Sequence, residues 1–229
     1  MKAFKKLAAV LLAFGMMAGL AACGDKGDDK SEAGTGSEVT SESAAGEAVG
    51  EEVNATQMDT AIQTVYNATN LTIAVTGTEK DDGKTYDVSY TYKYADGKVY
   101  CETTRTGEGK TEKQYAYFGK VDAVTYIWLS EDNQIWDKTE YPAEAGDPTT
   151  PKTTMEEFFK YIDFFGGYMD FDEKTGMYNF STLGEQSVAV KVVGGKIVEF
   201  VYEEGQDLRY DGEITYGGAT VGEFPAVTE

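Results

Sequence analysis

Between residues 71 and 104, apolar and polar side chains alternate with a period of two. Leu71, Ile73 and Val75 share one face of an extended segment, and Tyr86, Val88, Tyr90, Tyr92 and Tyr94 share one face of the next. Successive strand side chains point to opposite faces, so this spacing predicts two half-buried antiparallel strands. Asp81-Asp82-Gly83 separates them, and Asp96-Gly97 follows the second as a strong hairpin signal. A two-residue turn there pairs Ala95 with Lys98. It therefore sets Tyr94 opposite Val99, Tyr92 opposite Cys101 and Tyr90 opposite Thr103. The other face carries Asp87, Ser89, Thr91, Lys93, Glu102 and Thr104 and is expected to be wet. Cys101 falls on the apolar side, where a cysteine acts as a small buried hydrophobe rather than a reactive thiol.

The same period continues through 114–119, 121–130 and 134–139. It resumes at 168–171, 177–181, 187–193, 196–203 and 208–216, with Gly194-Gly195 as a further hairpin turn. Neither of the two runs flanking that turn alternates cleanly, which predicts cover on both of their faces. Helical spacing occurs twice. Residues 56–69 place Met58, Ile62, Val65 and Thr69 on a narrow apolar face behind a cap at Thr56 with Asp59. Thr154-Met-Glu-Glu157 opens a second helix whose face carries Met155, Phe158, Phe159, Ile162 and Phe165, stopped by Gly166-Gly167. The expected fold is mainly β (α+β): a curved antiparallel sheet of about eleven strands, a half-barrel, with an N-terminal helix and a mid-chain helix as lid. The segment from Gly217 to Glu229 is expected to be irregular and to pack along an edge.

The first 53 residues follow another pattern. Lys2, Lys5 and Lys6 precede an apolar run, Leu7 to Leu20, of fourteen residues. That is shorter than the roughly 20 residues needed to cross a bilayer, and it suits the core of a signal peptide. Leu20-Ala21-Ala22-Cys23 ends the run and resembles the lipobox of bacterial lipoproteins. The resemblance implies cleavage after residue 22 and a diacylglycerol thioether on Cys23. Residues 24–53 are Gly, Ser, Thr, Ala and acid with no aromatic side chain. Such a segment cannot bury enough apolar surface to offset the entropy of ordering, so residues 23–53 read as a lipidated cysteine and a disordered acidic linker. Residues 54–229 form the folded domain.

Composition narrows the chemistry. Without residues 1–23, which hold three lysines and no acid, 17 basic residues face 40 acidic ones. Such a chain repels nucleic acid and anionic headgroups and attracts cations such as calcium or a basic partner. Histidine is absent, which removes His-based acid–base catalysis, Ser-His-Asp triads and the usual zinc sites. Arg105 and Arg209 are the only arginines, too few for multi-point forked recognition of phosphate. No phosphate loop, nucleophile elbow or SxxK motif occurs. Asp170-Phe171-Asp172-Glu173 lacks the spacing of a calcium loop and reads as a solvated hairpin turn. No cofactor, metal or catalytic residue is expected.

The order of lipobox, linker, helix, strands, helix-bearing crossover and strands resembles the half-barrel lipoproteins, the group of LolA, LolB and the LppX-type proteins. That resemblance implies a curved sheet lidded by helices, with acyl chains or lipids between. The expected activity is non-enzymatic: binding of an apolar ligand by a monomer anchored to the outer leaflet of a bacterial cytoplasmic membrane, or to an outer membrane. The candidate wall is Tyr86, Tyr90, Tyr92, Tyr94, Val99 and Cys101, and the candidate lid is Phe158, Phe159, Ile162 and Phe165. The same two faces can instead pack on each other as core. In that case the expected function is adhesion to a wall glycan or a protein through exposed aromatics on the convex face, such as Tyr100, Tyr115 and Tyr117.

Overall fold

The computed structural model describes residues 50–81, 83–165, 169–181 and 186–227, without the side chains of residues 160, 161 and 163–165. The expected signal peptide, Cys23 and the expected linker up to residue 49 lie outside the described residues. Residues Val49–Glu229 make one compact unit.

Eleven strands form a single open antiparallel sheet: β1 (Leu71–Asp81), β2 (Lys84–Ala95), β3 (Lys98–Gly107), β4 (Lys110–Val121), β5 (Val124–Ser130), β6 (Asp137–Glu140), β7 (Asp170–Asp172), β8 (Met177–Ser181), β9 (Gln186–Val193), β10 (Lys196–Glu204) and β11 (Leu208–Tyr216). Their order is β6-β5-β4-β3-β2-β1-β11-β10-β9-β8-β7. Each half is a meander of hairpins, and the first and last strands, β1 and β11, join the halves in the middle. Two helices, α1 (Ala55–Tyr66) and α2 (Pro151–Phe165), cover one face. This is the expected half-barrel with helices.

The hairpin register is the expected one: Ala95 pairs with Lys98, Tyr94 with Val99, Tyr92 with Cys101 and Tyr90 with Thr103. Asp96 and Gly97 both take positive φ, 55° and 70°, as a two-residue hairpin turn requires. A second such turn went unpredicted. Asp122 and Ala123 also have positive φ and divide the 121–130 run into the end of β4 and β5, because a chain reversal depends on backbone twist that Ala does not advertise. The irregular alternation across Gly194-Gly195 comes from a bulge between Ile197 and Glu199, where the register with β9 shifts by one residue. Lys191 is buried there and pairs with Glu199 at 3.0 Å.

Both helices start earlier than their patterns suggest. The cap of α1 is Asn54, whose side chain accepts from Gln57 N–H while the Gln57 side chain accepts from Asn54 N–H; Thr56 lies inside the helix. Helix α2 opens at Pro151, since proline is pre-set for a first helical position. The Thr150 and Thr153 hydroxyls both donate to the Asp147 carbonyl just before it. Residues 51–53, expected in the linker, are held against the sheet. Glu51 N–H donates to Val192 O, and Val53 is buried with its N–H and C=O both on the Tyr178 hydroxyl. Residues 51–53 therefore belong to the folded unit. The C-terminal segment is irregular, as expected, but it does not follow an edge. Ala219 exchanges two hydrogen bonds with the Asn70 side chain, and Phe224 lies on the inner strands β4 and β5.

Candidate functional site

The helix-bearing face is built from the odd positions of β1 and β3 and the even positions of β2, β4, β10 and β11, in register across the sheet. Helix α2 packs on β8 and β9, and α1 packs on α2 and β10. Phe158 contacts the rings of Phe200, Tyr202 and Tyr210 at 5.0, 5.5 and 6.0 Å. Phe159 is fully buried between Phe200 and Tyr66. Gly212 makes this possible, since a Cβ there would occupy the Phe200 ring. The candidate lid residues Phe158, Phe159 and Ile162 thus form core over the β9–β11 half. Phe165 ends α2, and its side chain lies outside the described residues.

The candidate wall occupies the other half. Tyr92, Tyr94, Val99 and Cys101 are buried and continue into Ala116 and Phe118 of β4 and Ile127 of β5. The crossover reaches this wall through Thr154, whose hydroxyl hydrogen-bonds Tyr94 at 2.6 Å, and through Tyr141, whose ring meets Phe118 at 5.8 Å. Burial raises the pKa of the Cys101 thiol to about 12 and holds the Tyr92 and Tyr94 hydroxyls well above the usual tyrosine range. The thiol is accordingly neutral and unreactive, as its register predicts.

Along each strand this face changes character. Past Cys101 come Thr103 and then Arg105, and past Ala116 come Gln114 and then Glu112; Thr103, Gln114 and Arg105 are half-exposed and Glu112 is exposed. The apolar wall therefore opens onto a polar rim. At the centre of that rim, Glu79 Oε1 accepts hydrogen bonds from both the Tyr90 and the Tyr210 hydroxyl at 2.5 Å. Burial first, then the Glu79 charge, raises the Tyr90 pKa; burial, then Tyr90 and Glu79, raises that of Tyr210. Both phenols stay protonated and act as donors. Arg105 stacks its guanidinium 3.7 Å from the Tyr86 ring centroid and pairs with Asp81 at 2.9 Å. Tyr86 lies flat because Gly107 opposite has no Cβ for it to meet.

Of the sequence candidates, the structure brings Tyr86 and Tyr90 to the rim, Tyr92, Tyr94, Val99 and Cys101 to the wall, and Phe158, Phe159 and Ile162 to the covered half. Glu79, Arg105 and Tyr210 were missed. Glu79 is in phase with Leu71 and Val75, and Arg105 with Val99 and Cys101, so the alternation did place them on this face. Tyr210 comes beside Glu79 only through the pairing of β1 with β11, which joins residues over 130 positions apart.

The opposite face carries a second aromatic group. Tyr100 and Tyr117 lie 5.0 Å apart, Tyr117 and Trp136 5.3 Å apart, and Phe224 stacks on Trp128 at 4.2 Å. Tyr100, Tyr115 and Tyr117 are half-buried, and Ile135 beside Trp136 is 60% exposed. On β8–β11 the same face has an open groove lined by Asn179, Ala189, Val201 and Arg209, the last engaged by Glu203 and Asp211. Among the described residues no cluster of three potential metal ligands occurs, and no helix is long and apolar enough to cross a membrane. No protein-family model matches the chain, and a search of curated proteins finds no match.

Proposed function

We propose that the chain is a lipid-anchored, extracytoplasmic, non-enzymatic protein that binds an apolar ligand, a lipid or an acyl chain, between the β2–β5 wall and the lid crossover. The observation that carries this reading is the gradient along the wall, from Val99, Phe118 and Ile127 to Thr103, Gln114 and Arg105. An amphiphile laid along these strands places its tail on buried apolar side chains and its head at the half-exposed rim. The wall is covered in this structure, so a ligand enters by displacing the crossover that Thr154 and Tyr141 tie to it. Burying a dozen methylenes contributes on the order of 10 kcal/mol, against which stand the lid contacts broken and the freedom lost on binding. The thioether expected on Cys23 tethers the domain, through residues 24–49 as a spacer, to the lipid surface that supplies such a ligand.

Native mass spectrometry of residues 24–229, made in a bacterial host and purified without detergent, tests it. A mass excess that solvent extraction removes, and that Tyr92→Lys abolishes, is the expected result. Bare protein that takes up neither added fatty acid nor phospholipid overturns it.

A second reading rests on the Tyr100–Tyr117–Trp136 group: a surface that stacks on a wall glycan or a protein partner through half-exposed rings. It predicts co-sedimentation with insoluble cell-wall polysaccharide that Tyr100→Ala and Tyr117→Ala together abolish. Unchanged sedimentation in that double variant removes it.

A further inference from the structure

We propose that the Glu79–Arg105 rim is a headgroup site selecting an uncharged, hydroxyl-bearing amphiphile, such as an acylglycerol, over an anionic one; this rests on the apolar-ligand reading above. Glu79 spends Oε1 on the two tyrosine hydroxyls, which leaves Oε2 open to a further donor. Arg105 Nε is buried with no hydrogen-bond partner among the described residues, and it stands 3.9 Å from that Oε2. The separation is too long for a direct hydrogen bond. It suits one oxygen, about 2.8 Å from each, that accepts from Nε–H and donates to Oε2. A hydroxyl does both, whereas an ionised carboxylate or phosphodiester only accepts.

The Glu79 and Arg105 side chains are 21% and 28% exposed, but Nε itself is buried, so the oxygen reaches it only when the guanidinium shifts on the Tyr86 ring. Charge selects in the same direction. The far end of the Arg105 guanidinium is held by Asp81 at 2.9 Å, and Glu112 lies directly across from Arg105 on β4. Lys84, next along this rim, is engaged by Glu108 at 2.8 Å. Glu79, Asp81 and Glu112 thus outnumber the single guanidinium, and an anionic head meets a net negative field. Thr103 and Gln114 supply hydroxyl and amide partners for a second polar group on the same head.

Competition between 1-palmitoylglycerol and palmitate for residues 24–229 at pH 8, read by native mass spectrometry, tests the selection because the two share one tail. The expected preference is about tenfold or more for the glyceride, the scale set by leaving buried polar groups unpaired. Arg105→Gln should lower glyceride binding, and Arg105→Lys should do the same, since it keeps the charge and loses the Nε donor. Glu79→Gln should raise palmitate relative to the glyceride by removing one negative charge. Far-UV circular dichroism checks that each variant is folded. Equal uptake of both lipids, or a ratio that none of the three variants moves, overturns the headgroup assignment and leaves apolar binding standing. Uptake of neither lipid overturns both.

Discussion

Gly212 shows how one missing side chain organises a core. The Phe200 ring lies across it and so reaches both Phe158 and Phe159. Gly212→Ala puts a methyl group inside that ring, and the surrounding aromatics cannot all move aside. Overpacking of this kind costs about 1–3 kcal/mol. The expected outcome is a lower urea midpoint with an unchanged m-value; an unchanged midpoint shows that the ring has another place to go. The glycine was visible in the sequence, but its role was not, because Gly212 and Phe200 meet only through the β10–β11 register. Cys101 is the contrary case. Its turn and its parity alone put it on the apolar face, and the structure buries it there.

Among the elements, the C-terminal segment was the least legible. Residues 217–227 have no period and no hydrogen-bonded ladder, yet they are held at Ala219 by Asn70 and at Phe224 by Trp128. Phe224 also covers Gly119, and Lys98 pairs with Glu223 at 3.3 Å. Phe224→Ala uncovers one face of Trp128, while Trp136 keeps its contact with Tyr117. A red shift of tryptophan emission and a loss of about 1–2 kcal/mol are expected. An unshifted spectrum indicates that the segment is held without its ring. The helices were legible as elements but displaced at their starts. Asn54 and Pro151 set those starts through capping and backbone preference, signals weaker than the apolar periodicity that follows them.

For the whole molecule, the abundance of buried tyrosine sets the response to alkali. Burial raises the pKa of Tyr90, Tyr92, Tyr94, Tyr210 and Tyr216 above the ordinary value of 10.0. The folded state therefore keeps these protons where the unfolded chain loses them. Their contribution is fully present below pH 10 and declines above it, each fully buried phenol adding at most about 1.4 kcal/mol per pH unit. Urea midpoints should be flat from pH 7 to 9 and fall steeply from pH 10 to 12, and the tyrosinate absorbance of these five residues should appear only on unfolding. Tyrosinate absorbance from all of the tyrosines before the fold is lost contradicts this placement.

Local pattern by itself determined that this chain makes an antiparallel sheet with two helices, which residues of β2 and β3 oppose each other, and that tyrosines line one face. Those properties depend on period, turn chemistry and parity, which act over a few residues. Tertiary structure alone decided that β1 and β11 close the two halves together. It also decided that α2 docks on the β8–β9 side, and that Glu79, Tyr90, Tyr210 and Arg105 meet at one rim. Pairings between distant segments are chosen by the total apolar area buried and by the satisfaction of buried polar groups, sums over the whole fold that no short stretch of sequence contains.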